Sequence, residues 1–171
     1  KLATPINFYN QRLYECAQPL PSAPVAGFRL AEPRDLAQVC LNSGLMEAED
    51  LGVNPLTENP NAHERAVMQR ITSGRTYVIE HNNAIVFQIN IGSQTNWGCQ
   101  VGGTYVPKRF RGQGFAQQGM RVLCNRLLKD HPRVTLHVNE ANAPAVRVYE
   151  KTGFQAREPY RLVVLDQKSM R

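Results

Sequence analysis

The feature that most constrains this chain is the segment at residues 106–116, which reads Val-Pro-Lys-Arg-Phe-Arg-Gly-Gln-Gly-Phe-Ala. A β-rich run enters it, and an amphipathic run at residues 115–129 leaves it as a helix. The first amides of a helix have no helical acceptor and lie at the positive end of its dipole. Because Gly112 and Gly114 lack a Cβ, an anion can approach this backbone closely. The segment therefore predicts a cradle for a diphosphate.

The charges around this segment favour the same interpretation. No acidic residue occurs between Glu80 and Asp130, and six basic residues lie in that gap: Lys108, Arg109, Arg111, Arg121, Arg126 and Lys129. A local positive field suits a phosphorylated ligand, with Arg111 as a fixed charge at the rim of the cradle. A solvated basic face and a plain tight turn are the alternatives. The segment is neither a P-loop nor a dinucleotide fingerprint, because it lacks both Gly-Lys-Ser/Thr and GxGxxG.

The composition is that of a folded domain. Of the 171 residues, 42% are hydrophobic and 20% are charged, which argues against disorder. The apolar runs are only a few residues long, so we expect no membrane span. The formal net charge is +6, but the basic stretch is short and has no interleaved aromatic residues. We therefore expect no nucleic-acid partner.

The cysteines indicate a reducing environment. Cys16, Cys40, Cys99 and Cys124 form no CxxC pair, so neither a zinc cluster nor a dithiol redox motif is expected. A buried, reduced thiol is the ordinary state of a cysteine in an apolar pattern. We expect no bound metal, a cytoplasmic location and no secretory leader.

The N-terminal part of the chain is predicted to be separate from the folded domain. A short helix is expected around residues 8–16, and the proline-rich stretch at residues 18–24 indicates a linker. We therefore assign residues 1–26 to an arm and linker, or to the remnant of an upstream segment. Residues 27–171 are assigned to the domain itself.

The remaining pattern predicts an α+β fold with a mixed sheet. A short strand precedes two helices, the first of which is expected to end at Gly44. Asn82 and Asn83 tolerate positive φ and predict a hairpin between two strands. A third strand, the helix at residues 115–129 and a strand–helix–strand run follow. Trp97 is expected to be a pocket wall or a core anchor.

A second motif lies at residues 136–154, and the two motifs together resemble the GNAT superfamily of acyl-CoA-dependent N-acyltransferases. Arg-Gly-x-Gly-x-Ala at residues 111–116 is similar to the pyrophosphate motif of that superfamily. The pattern Asn142-x-x-Ala-x-x-x-Tyr149-x-x-x-Gly-Phe is similar to its second motif. Gly-Gly-x-Tyr-x-Pro at residues 102–107 resembles one subgroup.

The resemblance covers about residues 27–165. It implies a mostly antiparallel central sheet flanked by helices, in which two neighbouring parallel strands splay apart. It also implies acetyl-CoA, or a related acyl-CoA, as cosubstrate. The cofactor-binding residues that it implies are Thr104, Tyr105, Val106, Arg111, Gly112, Gln113, Gly114, Phe115, Ala116 and Asn142. Asn142 equally fits a helix N-cap.

Tyr149 occupies the position of the general acid in the family. It would protonate the CoA thiolate as that group leaves, whereas a core aromatic residue is the alternative. The resemblance implies direct attack by a neutral amine, with a backbone amide near Val106 polarising the thioester carbonyl and no cysteine nucleophile. The base stays open, because residues 100–105 contain no acid. The candidates are Glu80, His81, His137 and a chain of water molecules.

Three acids, Glu47, Glu49 and Asp50, lie in the region that lines the acceptor pocket in this family. They would attract a cationic amine, and a solvated turn is the alternative. We expect an N-acetyltransferase that acts on a primary amine of a small molecule or peptide, and no membrane partner. A non-catalytic acyl-CoA-binding regulatory domain is the alternative function. The sequence leaves open whether the chain forms a homodimer.

Overall fold

The computed structural model describes residues 5–165, except for the side chain of Ile6. The strands are β1 Pro5–Cys16, β2 Phe28–Leu30, β3 Thr76–His81, β4 Ala84–Thr95, β5 Gly98–Tyr105, β6 Val134–Asn139 and β7 Gln155–Leu165. The helices are α1 Leu36–Leu51, α2 Pro55–Glu58, α3 Pro60–Thr72, α4 Phe115–Leu127 and α5 Ala143–Lys151. Residues 1–4 and 166–171, the outer ends of the two predicted segments, lie outside the described residues.

All seven strands join one sheet in the order β2-β3-β4-β5-β6-β1-β7. The pairs are antiparallel except for β5 and β6, which are parallel. The predicted α+β class and the mixed, mostly antiparallel sheet are therefore confirmed. The predicted hairpin is present as well, since Asn82 and Asn83 have φ angles of 49° and 59° between β3 and β4.

The N-terminal segment lies inside the sheet. β1 is inserted between β6 and β7 and is antiparallel to both, so the predicted helix around residues 8–16 is wrong. The side chains alternate as in a strand: Tyr14 and Cys16 are buried, and Glu15 between them pairs with arginines at the surface. Residues 18–24 have no regular structure, as predicted.

Helix α1 continues through Gly44, where the sequence predicted its end. Gly44 is buried, and a Cβ at this position would collide with the side chain of Leu56 on α2. The glycine thus permits close packing of two helices and does not break one of them.

Helices cover both faces of the sheet. On one face, Val39 of α1 and Val67 of α3 pack against Val78 of β3. On the other face, α4 packs Met120 against the sheet core that contains Phe87 of β4. These layers fix the end of α1 and the start of α4 near the middle of the sheet. None of the helices within residues 5–165 is long and apolar enough to cross a membrane.

Candidate active site

The sheet opens between β5 and β6. These two strands pair only at Cys99 with Val134 and at Gln100 with Thr135. Further along β5, the register against β4 shifts at a bulge, and Gly103 in this bulge has a φ of 62°. A bulge bends its strand, and a glycine adopts this backbone conformation without strain. The parallel pair is therefore splayed, as the resemblance implied.

A cavity of about 550 Å³ lies at this opening, a size typical of small-molecule sites. It collects residues from β1, α1, β5, the turn before α4, β6 and α5. The predicted site residues that line it are Glu49, Asp50, Thr104, Tyr105, Val106, Arg111, Gly112, Gly114, Phe115, Ala116, Asn142 and Tyr149. Two predicted residues, Glu47 and Gln113, do not line it. The Gln113 side chain donates instead to the carbonyl oxygen of Arg109 at 3.3 Å.

The glycine turn forms one wall of the cavity. Gly112 and Gly114 have φ angles of 77° and 84°, and α4 starts immediately afterwards. The amide of Gln118 donates to the carbonyl oxygen of Gly114 at 3.0 Å, so the amides before it precede the first helical hydrogen bond. A Cβ at Gly112 would meet no protein atom within 4 Å. The turn therefore offers backbone amides to an open space.

The Arg111 side chain turns toward α1. Its Nε donates to the carbonyl oxygen of Val106 at 2.9 Å, and its Nη2 donates to Oε2 of Glu49 at 2.8 Å. The guanidinium also lies over the ring of Tyr105, 5.4 Å from the centroid. Arg111 thus links the turn to α1 and forms an ion pair with Glu49.

The three predicted acids point in different directions, because successive residues of a helix are about 100° apart. Glu47 lies outside the cavity, with its Oε1 3.9 Å from Nδ1 of His63. Glu49 accepts hydrogen bonds from Arg111 and, at 3.1 Å, from the hydroxyl of Tyr105. Asp50 faces the cavity.

The two acids of the cavity differ in proton affinity. Burial acts to raise the pKa of Glu49, but the hydrogen bonds from Arg111 and Tyr105 more than offset it and hold the pKa below its ordinary value. Asp50 is exposed at the open cavity, and its pKa is raised, first by partial desolvation there and then by the charge of Glu49, although Arg111 opposes this. The cavity therefore shifts the pKa values of its two acids in opposite directions.

Tyr149 is buried at the cavity wall and packs edge-to-face on Phe154 at a centroid distance of 6.0 Å. Burial raises the pKa of Tyr149, the nearby Thr104 hydroxyl lowers it, and the charge of Asp50 raises it again. The net effect is upward, so the phenol is protonated at neutral pH. Its position permits proton donation into the cavity.

Asn142 caps helix α5. Its side-chain Oδ1 accepts from the amide of Ala145 at 3.2 Å, which is the N-cap arrangement that the sequence left as an alternative. The capping bond uses the oxygen, so the side-chain NH₂ remains a donor at the cavity.

The cavity also contains polar residues of β1 that were not predicted from the sequence. Tyr9 and Gln11 of β1 both line it, because residues two apart on a strand face the same side. The hydroxyl of Tyr9 donates to the carbonyl oxygen of Leu51 at 2.7 Å. Their spacing of two would have indicated a shared face had this segment been predicted as a strand.

Most of the other residues that the sequence suggested for a functional role lie outside the cavity. Trp97 is 82% exposed and is neither a pocket wall nor a core anchor, because it lies in the turn between β4 and β5. Glu80 and His81 do not line the cavity, whereas His137 does. Burial raises the pKa of all four cysteine thiols, and none of them lines the cavity. Among residues 5–165, no three His, Cys, Asp or Glu side chains cluster as a metal site requires.

The mixed sheet with its splayed parallel pair, together with a glycine turn at a helix N-terminus, defines a GNAT fold. The model of the Acetyltransferase (GNAT) family matches residues 45–154, and the chain belongs to this family.

Solved structures with the same fold differ widely in sequence. A GNAT-family acetyltransferase from Colwellia psychrerythraea has a TM-score of 0.73 and 14% identity over 95% of this chain. An N-acetyltransferase from Staphylococcus aureus Mu50 has a TM-score of 0.65 and 14% identity, over 81% of this chain and 100% of that one. A predicted acetyltransferase from Clostridium acetobutylicum, solved with acetyl-CoA, has a TM-score of 0.60 and 17% identity over 77% and 90% of the two chains. This chain spans 58% of the Colwellia chain. No curated protein sequence matches the chain significantly.

Proposed function

We propose that this protein transfers an acetyl group from acetyl-CoA to a primary amine. The observation that carries the proposal is that the turn of Gly112 and Gly114 and the phenol of Tyr149 line one cavity. The turn offers backbone amides suited to a diphosphate, and the phenol offers a proton. Membership of the family supports acetyl transfer, and the Clostridium neighbour is solved with acetyl-CoA.

The residues of the cavity fit acetyl-CoA as a substrate. Residues 104–106 lie beyond the last pair between β5 and β6, so their backbone groups on that side are available to the pantetheine arm. The amides of residues 111–116 would hold the diphosphate. The side-chain NH₂ of Asn142 would donate to the same ligand, while its oxygen keeps the helix cap.

The chemistry is direct transfer. The neutral nitrogen of the acceptor attacks the thioester carbonyl carbon, and the amide of Val106 stabilises the negative charge that develops on the carbonyl oxygen. Tyr149 donates its proton to the sulfur as the carbon–sulfur bond breaks. No thiol of the protein takes part, because the cysteines are away from the cavity and hold their protons tightly.

The acceptor in this proposal is an amine of a small molecule or a peptide. Glu49 and Asp50 would attract its positive charge, since both line the cavity. We place the protein in the cytoplasm, because its four cysteines are free thiols and three of them are buried.

Two measurements test the proposal. Acetyl-CoA at 100 times its dissociation constant should stabilise the folded protein by about 2.7 kcal/mol in thermal or chemical unfolding. Release of free thiol should then depend on a primary amine, measured over a panel of alkylamines, polyamines, amino acids and peptides. Absence of any stabilisation would refute the acetyl-CoA site. Stabilisation without thiol release from any amine would favour the regulatory acyl-CoA-binding domain instead.

A further inference from the structure

The proposed reaction needs a group that removes a proton from the acceptor. A primary amine is mostly an ammonium ion at neutral pH, and an ammonium ion has no lone pair with which to attack. Strand β5, which borders the thioester position, carries no acid. The base must therefore come from another element of the cavity.

The acids and histidines proposed from the sequence are poorly placed for this task. Glu80 is held by Arg29 and lies outside the cavity. His81 is exposed on the β3–β4 hairpin, against the ring of Phe115. His137 does line the cavity, but its Nδ1 lies 3.2 Å from the Gln100 amide and its ring stacks on Tyr160. A neutral histidine also offers no charge to attract a cation.

Asp50 differs from all of them. It lies in the last turn of α1 and faces the cavity, and its charge acts on the buried phenol of Tyr149. Within residues 5–165, its carboxylate accepts no side-chain hydrogen bond and forms no ion pair, whereas the adjacent Glu49 is held by Arg111 and Tyr105. An unpartnered carboxylate in the cavity that also holds the proposed acid is placed to receive a cation from that cavity.

We infer that Asp50 takes the proton from the ammonium group of the acceptor, an assignment that rests on the proposed acetyl transfer. One N–H bond of the ammonium breaks, and its proton passes to a carboxylate oxygen of Asp50 and then to solvent. The freed lone pair forms the new carbon–nitrogen bond. The carbon–sulfur bond then breaks, and the sulfur takes the proton of Tyr149. A second proton from the nitrogen returns to Tyr149, so the products are an N-acetyl amine and a free thiol.

The surroundings of Asp50 suit a base. Burial and the charge of Glu49 raise the pKa of Asp50, and Arg111 moderates the increase. The titratable or charged groups that line the same cavity are Tyr9 of β1, Glu49 of α1, Tyr105 of β5, Arg111 of the turn, His137 of β6 and Tyr149 of α5, of which Glu49, Arg111 and Tyr149 interact with Asp50 through their charge. The raised pKa makes Asp50 a stronger base than an ordinary aspartate.

The test uses Asp50→Asn, with Asp130→Asn as the matched control because Asp130 is exposed and does not line the cavity. The assay uses acetyl-CoA with whichever amine of the panel the wild-type protein acetylates fastest. We expect kcat/KM for that amine to fall about 100-fold or more in Asp50→Asn and to be unchanged in Asp130→Asn. Acetyl-CoA affinity should be retained in both variants.

Two readouts separate a base from a structural residue. The decrease of kcat/KM in Asp50→Asn should become smaller as the pH rises toward the pKa of the amine, because hydroxide then supplies the neutral amine. It should also shrink for a fluorinated counterpart of the same amine, whose ammonium is more acidic. An equal loss for both amines at every pH would overturn the assignment, as would wild-type activity in Asp50→Asn.

Two further outcomes would also refute the role of Asp50. In the wild-type protein, kcat/KM should fall at low pH as the base becomes protonated. If this fall disappears in His137→Gln and persists in Asp50→Asn, His137 is the base and the assignment to Asp50 fails. If the wild-type protein binds acetyl-CoA but turns over no amine, the proposed transfer fails first, and the role of Asp50 fails with it.

Discussion

The hydroxyl of Tyr9 donates a 2.7 Å hydrogen bond to the carbonyl oxygen of Leu51, and this bond joins the N-terminal strand to the last turn of α1. Leu51 follows Asp50 directly, so the strand that completes the sheet also holds the end of the helix that carries this acid. Helix C-terminal carbonyls have no helical donor, and Tyr9 supplies one from across the cavity.

Removal of this hydroxyl should therefore affect both stability and amine use. We expect Tyr9→Phe to lower the free energy of unfolding by about 1 kcal/mol in urea denaturation. We also expect kcat/KM for the amine to fall several-fold while acetyl-CoA affinity is unchanged. Tyr160→Phe is the matched control, since within residues 5–165 the Tyr160 hydroxyl makes no hydrogen bond. Equal effects of the two variants would contradict the role of the Tyr9 bond.

The glycine turn can be tested with a pair of matched alanine variants. Gly112 and Gly74 have φ angles of 77° and 67°, and a Cβ at either position meets no atom within 4 Å. Both Gly112→Ala and Gly74→Ala should lower the free energy of unfolding by about 1 kcal/mol, because alanine is strained at positive φ. Only Gly112→Ala should weaken acetyl-CoA binding in calorimetry, since Gly74 lies beyond α3 and away from the cavity. The cradle assignment fails if both variants bind acetyl-CoA equally well.

The phenol of Tyr149 should matter to turnover and little to binding. Tyr149→Phe keeps the ring packing on Phe154 but removes the proton. We expect kcat to fall about 100-fold with acetyl-CoA affinity retained. Because the pKa of Tyr149 is raised, wild-type activity should fall only as the pH rises through that elevated value, and this alkaline limb should be absent from the variant. A parallel loss of affinity and turnover would make Tyr149 a structural residue.

The ion-pair cluster of β2 and the start of α1 should control stability at low pH. Arg29 donates hydrogen bonds of 2.6 and 2.9 Å to the two carboxylate oxygens of Asp35. Burial acts to raise the pKa of Asp35, but these bonds more than offset it, and the net pKa is lowered. A lowered pKa in the folded state gives stability that is present above about pH 4 and is lost as the pH falls through the lower value.

We therefore expect Asp35→Asn to lower the free energy of unfolding by about 3 kcal/mol at pH 7, since it leaves a partly buried Arg29 without its main partner. The difference from the wild-type protein should narrow as the pH falls below about 4 in urea denaturation. Glu58→Gln, at an exposed position of α2, is the control and should change neither the free energy of unfolding at pH 7 nor its dependence on pH. A difference that is constant with pH would show that the charge of Asp35 is not what stabilises this cluster.

The sequence was most informative where the signals are local. The turn of Gly112 and Gly114 and the cap at Asn142 are short-range patterns, and each lies where its spacing predicted. The end of α1 was mispredicted because the partner that makes Gly44 useful, Leu56, belongs to another helix. The separate directions of the three acids follow from that helix, so they could not be predicted once it was expected to stop early.

The N-terminal strand escaped prediction for a related reason. Residues 8–16 carry apolar side chains at spacings that fit a helix as well as a strand, and only the pairing with β6 and β7 decides between them. Those partners lie at the far end of the chain. Tyr9 and Gln11 were therefore not predicted to line the cavity, because neither residue type alone indicates a ligand site.

The insertion of β1 between β6 and β7 also sets the order in which the protein can be assembled. Gln11 pairs with Asn139, and Phe8 pairs with Val163. A strand near the start of the chain therefore pairs only with strands near its end. During synthesis, both edges of β1 stay unpaired until residue 139 and then residues 155–165 have emerged. Long-range closure of this kind slows folding and exposes strand edges to association with other chains. The part of the cavity wall that β1 and β6 supply therefore forms last.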